Sequence, residues 1–282
     1  ANADLNPKAQ NKTIFFKSEG RLGNKFFIYN KCLDLLYSAN DVKKIIIVCK
    51  KSDDFQSFAK VIKNFDNRIN IINSNILFQA LNFLFKLKSF ITNDFNDEDS
   101  FLDIFFKGYY QSKKYLKKND LNFSILNEND LTDIHHIKKD ICTVHIRGGD
   151  YLTSKSIYWN LTESYYTNSI KKVYLYNKKV KFIFISDDWR FAECLVKALI
   201  NKSIIKEPIL FKDSNYLTDF LMMVKSNFLI CSNSTFSIQA AINGNSKHVI
   251  VPKNWFRDYK RNLEFTEQLY PSFWIKIPDR LS

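Results

Sequence analysis

The stretch Ile141-Cys-Thr-Val-His-Ile146, followed at once by Arg147-Gly-Gly-Asp150, decides the fold. A run of apolar and β-branched residues without a formal charge is typical of a strand that is buried on both faces of a parallel sheet. The two glycines directly after the run permit a tight turn. Because ligands of open α/β sheets bind outside the carboxyl ends of the strands, this stretch predicts both a Rossmann-like sheet and the edge that carries its site.

Similar apolar runs recur toward the C-terminus and alternate with amphipathic segments. The predicted strands are Ile141–Ile146, Lys181–Ile185, Pro208–Phe211, Asn227–Cys231 and His248–Val251. The predicted helices are Glu163–Tyr176, Trp189–Ile200, Leu217–Lys225 and Phe236–Asn243. Alternation of this kind predicts βα units and a parallel sheet.

The N-terminal half repeats the pattern less regularly. Its predicted strands are Thr13–Phe16, Lys44–Cys49, Arg68–Ile72 and Leu102–Phe106, and its predicted helices are Asn24–Ala39 and Phe55–Asn64. The polar segment Asn119–Lys139 marks a boundary. We therefore expect an α/β protein with two Rossmann-like domains, residues 1–135 and 136–282, which fits a chain of 282 residues.

The amino-acid composition indicates which classes of ligand the chain attracts. Lys and Arg number 42 against 29 Asp and Glu, a formal net charge of +13, so the surface attracts nucleotides, phosphorylated sugars, nucleic acid or acidic lipid. No RNP, helix-turn-helix or zinc-finger pattern is present, and this argues against a nucleic-acid binder. The five scattered cysteines predict buried free thiols and a reducing compartment. No apolar run approaches the roughly 20 residues of a membrane span, and we expect a cytoplasmic location.

Polar side chains follow three of the predicted strands. Arg147 and Asp150 follow the first, Asp187 and Asp188 the second, and Ser232-Asn-Ser-Thr235 a third that leads into a helix. An arginine binds a diphosphate bidentately, a helix start adds N–H groups, and a carboxylate binds ribose or base. The three strand ends together supply the groups that a sugar nucleotide requires.

Plainer interpretations of the same residues remain open. Arg147 and Asp150 also fit a structural ion pair, and the Asp187-Asp188 and Ser234-Thr235 pairs fit helix N-caps. His145 lies on the same side of its strand as Arg147, which favours a structural role over a catalytic one. No second histidine stands at metal-ligand spacing, so we expect no structural metal.

Six blocks, in order from Gly20 to Phe256, resemble glycosyltransferase family 11, the α-1,2-fucosyltransferases. They are Gly20-Arg-Leu-Gly-Asn-Lys-Phe-Phe27, Gly108-Tyr-Tyr-Gln-Ser-Lys-Lys-Tyr115, His145-Ile-Arg-Gly-Gly-Asp150, Ile185-Ser-Asp-Asp-Trp189, Asp219-Phe-Leu-Met-Met through Asn233-Ser-Thr-Phe-Ser237, and Val251-Pro-Lys-Asn-Trp-Phe256. Lys25 stands where the family has Gln and Arg21 where it has a second Gly, while Ser237-Ile-Gln-Ala-Ala replaces a more aromatic run. These departures bear on the sugar or the acceptor.

The resemblance implies a GT-B architecture, two Rossmann-like domains facing across a cleft, with the acceptor on the N-terminal side and GDP on the C-terminal side. It implies inverting, metal-independent transfer of L-fucose from GDP-β-L-fucose to the 2-hydroxyl of a galactoside or lipid-linked glycan, with no cofactor. The acceptor would belong to a surface polysaccharide such as an O-antigen, and the basic charge would favour peripheral contact with an anionic membrane.

The same resemblance assigns roles to individual residues. The expected catalytic residues are Arg147, which binds the leaving diphosphate, Asp150 as base and His145, with Glu19 as an alternative base. The expected donor-binding residues are Gly23, Asn24, Arg147, Asp187, Asp188, Asn233, Ser234, Thr235 and Ser237, and the expected acceptor-binding residues are Arg21 and Gln111. A glycosyltransferase with a different sugar nucleotide and a non-catalytic nucleotide-sugar-binding module remain the alternatives.

Overall fold

The computed structural model describes residues 11–92, 99–102, 104–125, 140–149, 156–212 and 214–279. These residues form two compact units. The first comprises the described chain up to Gln111 together with Asp120–Asn122, and the second comprises Ser112–Asn119 and the described chain from Phe123 onward. The predicted domain boundary, between residues 135 and 136, lies outside the described residues and stays a prediction.

The first unit is built on a five-stranded sheet in the order β3-β2-β1-β5-β4, in which only β4 is antiparallel to its neighbour. The strands are β1 (Lys12–Lys17), β2 (Val42–Cys49), β3 (Ile69–Asn73), β4 (Asp99–Phe101) and β5 (Phe105–Lys107). The helices are α1 (Leu22–Ser38), α2 (Phe55–Val61) and α3 (Asn75–Thr92).

The second unit is built on a six-stranded, fully parallel sheet in the order β11-β10-β9-β6-β7-β8. Its strands are β6 (Ile141–Ile146), β7 (Lys181–Ser186), β8 (Ile209–Leu210), β9 (Phe228–Ile230), β10 (His248–Pro252) and β11 (Ile275–Ile277). Its helices are α4 (Glu163–Tyr176), α5 (Trp189–Asn201), α6 (Tyr216–Lys225), α7 (Thr235–Asn243) and α8 (Tyr259–Leu269), and two 3₁₀ turns lie at Lys113–Tyr115 and Phe123–Ile125.

The predicted α/β class and the parallel strand pattern are confirmed in both units. Every residue of β6 is buried, as a central strand between β7 and β9 must be. The short segment Ser112–Asn119, expected in the N-terminal domain, packs with the second unit because Asn119 donates its backbone N–H to Asn243 Oδ1 at 2.8 Å.

Three expectations about local structure were wrong or incomplete. Of the strand predicted over Leu102–Phe106, only Phe105 and Phe106 lie in a strand, β5, because Leu102 adopts a φ of +54° in the turn after β4, a strand that was not predicted. Helices α3 and α8 and strand β11 were not predicted at all. Cys194 is exposed, whereas the other four cysteines are buried as expected, and all five thiols are free.

Asp279 ties the C-terminal segment to the start of α4. It is 1% exposed and accepts hydrogen bonds from Trp159 Nε1 at 2.9 Å and from both the backbone N–H and the hydroxyl of Thr162 at 2.8 Å. Thr162 in turn caps α4. A buried carboxylate with three donors is stabilising, and its loss leaves those donors without a partner.

We expect Asp279→Ala to lower the free energy of unfolding of the second unit by at least about 2 kcal/mol, because hydrogen bonds to a charged group are each worth about 1.5–3 kcal/mol. All four tryptophans of the chain, Trp159, Trp189, Trp255 and Trp274, belong to this unit. Urea unfolding followed by tryptophan fluorescence measures the change. An unfolding midpoint equal to that of the wild type would contradict the assignment.

Candidate functional site

Strand register places Arg147 beside Asp187. Strands β6 and β7 run parallel with Ile146 opposite Ser186, so the next residue of each strand lies at the carboxyl edge of the sheet. Arg147 Nη1 contacts Asp187 Oδ2 at 2.5 Å, and the two side chains are 9% and 25% exposed. Asp187 is thus the observed partner of Arg147. The structural ion pair between Arg147 and Asp150 stays a prediction, because Asp150 lies outside the described residues.

The loop after β6 closes around the same carboxylate. The backbone N–H of Gly148 donates to Asp187 Oδ1 at 3.0 Å. Gly149 has a φ of +45°, and a Cβ there would lie 2.9 Å from Asp187 Oδ2. Only glycine adopts this positive φ and lies this close to the Asp187 carboxylate at little cost in free energy. This explains why a glycine, a rare residue in this chain, stands at position 149.

His145 lies two residues before Arg147 and is buried. Its Nδ1 is 2.7 Å from Ser232 Oγ, and its ring packs 5.6 Å from that of Phe236. Burial lowers its pKa to about 4; the nearby Asp187 opposes this shift and Arg147 adds to it. His145 is therefore neutral at physiological pH, and it has the structural position that its strand alternation favoured.

The loop between β9 and α7 lies at the same edge of the sheet, on the side of β6 opposite β7. Ser234 is the N-cap of α7 and accepts from the backbone N–H of Phe236 at 3.4 Å, and Thr235 is the first residue of the helix. Ser237 is fully buried and donates its hydroxyl to Ser234 O at 3.1 Å. This buried loop sets the N-terminus of α7, where backbone N–H groups favour an anion.

Asn233 and Asp188 have clear structural partners. The Asn233 amide nitrogen donates to Trp159 O at 2.7 Å and to Trp255 O at 3.2 Å, so this side chain fastens the loop to two neighbouring segments. Asp188 is the N-cap of α5 and accepts from Phe191 N at 3.1 Å. Asp188 and Ser234 are therefore helix N-caps, as the plainer interpretation of these residues predicted.

Sequence reasoning gave no role to Ser232 or to Tyr165. Ser232 is the partner of His145, and the Tyr165 hydroxyl donates to Cys231 O at 2.5 Å from the buried face of α4. Ser232 stood in a run of small polar residues directly after a strand, which was a usable signal. Tyr165 had none, because its partner is 66 residues away in the sequence.

The remaining predicted residues lie in the first unit. Helix α1 begins two residues before the predicted Asn24, so Gly23 and Asn24 both lie in its first turn, and Arg21 is its N-cap residue. Gln111 donates to Asn24 Oδ1 at 2.8 Å. Gly20, with a φ of +96°, allows this arrangement, because a Cβ there would lie 2.4 Å from Asn24 Nδ2.

The structure thus groups the predicted residues of the second unit at one sheet edge. His145, Arg147, Asp187 and the Ser232–Thr235 loop combine one guanidinium, one carboxylate and one helix N-terminus. A guanidinium is a permanent cation whose planar fork of N–H donors matches carboxylate and phosphate oxygens. Such an edge is suited to binding a phosphate or diphosphate.

Acid should destabilise the second unit through His145. The unfolded histidine binds a proton near pH 6.5 and the folded one only near pH 4, so the free energy of unfolding falls as pH drops between these values. The contribution is about 3 kcal/mol, at 1.36 kcal/mol per pKa unit.

His145→Gln removes that titration and keeps a polar group for Ser232. Urea unfolding followed by tryptophan fluorescence at pH 7, 6 and 5 should show a shallower pH dependence than in the wild type. Both proteins contain the same carboxylates, so the contribution of these groups to the pH dependence cancels when the two free energies of unfolding are subtracted. Equal slopes would show that His145 does not titrate as its burial requires.

Solved structures share this fold at low sequence identity. A glycosyl transferase of family 9 from Veillonella parvula matches with a TM-score of 0.54 and 10% identity, over 96% of this chain and 87% of that one. The α-1,6-fucosyltransferase NodZ, in a structure soaked with GDP-fucose, matches with a TM-score of 0.51 and 13% identity, over 83% and 93%. NodZ from Bradyrhizobium also matches at 11% identity with a TM-score of 0.51, over 83% and 94%. The fold is of the GT-B type, as predicted.

No curated protein matches the sequence of this chain. Among the described helices, none combines the length and the apolar character that crossing a membrane requires. The family model of glycosyl transferase family 11 matches residues 3–278, nearly the whole chain. The resemblance carried by the Arg147 motif and the other blocks is thereby confirmed: this chain belongs to glycosyl transferase family 11.

Proposed function

We propose that the protein transfers L-fucose from GDP-β-L-fucose to the 2-hydroxyl of a galactoside, with inversion at the anomeric carbon and without a metal ion. The observation that carries the proposal is the Arg147 guanidinium, held by Asp187 at the carboxyl edge of β6 and β7. The α7 N-terminus at the same edge is the second group that suits a diphosphate. Family membership and a fold shared with a fucosyltransferase support the sugar.

The reaction is a single displacement. The bond between the fucose anomeric carbon and the GDP β-phosphate oxygen breaks, and that carbon bonds to the acceptor oxygen. The acceptor's hydroxyl proton goes to a base, and GDP leaves with the bonding electron pair. The enzyme must therefore stabilise charge that develops on the diphosphate, which is the largest electrostatic demand of the step.

Arg147 meets that demand in our proposal. Its charge is permanent and its fork matches phosphate oxygens bidentately, so it supplies what a divalent cation supplies elsewhere. We assign His145 a positioning role with no contact to the substrate, because it is buried and neutral. A protonated His145 would place a second buried cation near Arg147 and would raise the free-energy cost of burying the guanidinium.

The other donor contacts and the base remain part of the proposal. Asp187, Asp188, Asn233 and the Ser234–Thr235 helix start are assigned to GDP, with Ser237 supporting the loop. Asp150 is assigned as the base. Arg21 and Gln111 are assigned to the acceptor side, together with Asn24, to which Gln111 is hydrogen-bonded.

We further propose that the protein works in the cytoplasm, on a lipid-linked acceptor of a surface polysaccharide, in peripheral contact with an anionic membrane. The net charge of +13 supports this, since basic residues near an anionic leaflet gain about 1 kcal/mol each. Co-sedimentation with phosphatidylserine vesicles at low salt, lost at high salt, is the expected result. Failure to co-sediment at any salt concentration would remove the membrane contact.

Arg147→Ala should lower turnover of GDP-fucose by about 10- to 100-fold, because a charge-assisted hydrogen bond is worth roughly 1.5–3 kcal/mol. Release of the nucleoside diphosphate, GDP or UDP according to the donor, is measured in EDTA with GDP-fucose, GDP-mannose, UDP-galactose or UDP-glucose, with and without lactose. Lys178→Ala is the control, since Lys178 is an exposed cation before β7, at the opposite edge of the sheet.

Turnover of the four sugar nucleotides distinguishes the proposed fucosyltransferase from the two alternative functions. Lactose-stimulated turnover of GDP-fucose that is lost in Arg147→Ala supports the proposal. Turnover of another donor would keep the fold and the family and overturn the sugar. GDP binding without turnover of any donor would favour a non-catalytic module, and equal activity of the wild type and Arg147→Ala would overturn the role of the arginine.

A further inference from the structure

A cavity of about 240 Å³ opens at the carboxyl edge of the sheet in the first unit, and of the predicted site residues only Glu19, the alternative base, lines it. The chain that follows β1 supplies Ser18, Glu19 and Gly20, and the chain that follows β2 supplies Lys50, Ser52 and Asp53; Phe78 of α3 completes the lining. At roughly 30 Å³ per water molecule, the cavity holds about eight waters, the scale of a single sugar ring.

Two ion pairs balance the charges around this cavity. Lys17 Nζ bonds to Glu19 Oε1 at 2.7 Å, and Lys25 Nζ pairs with Asp53 Oδ1 at 3.0 Å. Lys25, which stands where the family has glutamine, thus has the partly buried Asp53 as its partner. Lys50 is exposed, and its contact is the Phe78 ring at 5.2 Å; within the described chain no carboxylate pairs with it.

The turn that carries Lys50 and Asp53 is held firmly. Asp53 N donates to Lys50 O at 3.0 Å, closing the turn. Lys51 N donates to Asn75 Oδ1 at 2.9 Å, and Asn73 Nδ2 donates to Asp53 O at the same distance. Side chains on a turn braced from two neighbouring elements are preorganised, which reduces the entropy cost of binding a ligand.

The chemistry of the lining selects its ligand. Glu19 and Asp53 are both paired with lysines, so the wall of the cavity offers hydrogen-bond acceptors and donors side by side. A sugar hydroxyl both donates and accepts, so one ring satisfies a carboxylate acceptor and an ammonium donor together. Glu19 is 46% exposed at its side chain, which leaves carboxylate lone pairs for such a contact.

We propose that this cavity binds the galactosyl ring of the acceptor, with Glu19 accepting from its hydroxyl groups and Lys50 donating to them. The inference rests on the proposed function, because it takes a galactoside as the acceptor. It adds Lys50 to the acceptor side, where the sequence indicated Arg21 and Gln111, and it makes Glu19, expected only as an alternative base, a binding contact of the acceptor ring.

The test uses Glu19→Gln and Lys50→Met, each with a matched control at the opposite edge of the same sheet. Asp41→Asn and Lys43→Met are these controls, since they lie at the amino end of β2. We expect the KM for lactose to rise at least about tenfold in Glu19→Gln, the equivalent of one hydrogen bond to a charged group. A severalfold rise is expected in Lys50→Met, and the effect falls on lactose and not on GDP-fucose.

Ligand-observed NMR of lactose with the full chain separates this inference from the proposed function. Weaker lactose binding in the two cavity variants than in their controls supports the acceptor subsite, even if no donor turns over and the proposed function fails. Equal KM values and equal lactose binding in variants and controls overturn the subsite while turnover of GDP-fucose leaves the proposed function standing. A wild-type protein that does not bind lactose overturns the assignment of a galactoside.

Discussion

The ion pair between Arg147 and Asp187 is the interaction on which the proposed donor site depends. It exists because β6 and β7 are parallel neighbours in a fixed register, so that two residues 40 positions apart in the sequence meet at one edge. Asp187 fixes the guanidinium and Gly148 fixes Asp187. His145, kept neutral by burial, leaves the arginine as the single side-chain cation of this group.

The two units use charge differently, although each places its polar groups at the carboxyl edge of a parallel sheet. In the second unit one guanidinium and a helix N-terminus lie together, which suits an anion. In the first unit carboxylates line the cavity and lysines pair with them, which suits neutral hydroxyl groups. The proposed reaction, with an anionic donor and a neutral acceptor sugar, would use both kinds of site.

Much of the fold was readable because buried parallel strands are continuous apolar runs, as in Ile141–Ile146. Helix α3 was not, because it carries apolar side chains on its exposed face as well: Ile76 is 82% and Phe83 66% exposed, so no clean helical periodicity marks it. At the site, the local sequence predicted where the strands end, but it did not predict the hydrogen-bond partners of the side chains there. Asn233 binds two backbone carbonyls of distant segments, and no local pattern reveals such contacts.

The most direct test of the account is a calorimetric titration of GDP into the wild-type protein and Arg147→Ala, in EDTA at fixed low ionic strength. The account predicts GDP binding by the wild type without a metal, and an affinity at least about tenfold lower in the variant, as loss of one charge-assisted contact requires. Equal affinities, or wild-type binding that appears only when a divalent cation is added, would contradict the central claim that Arg147 binds the diphosphate.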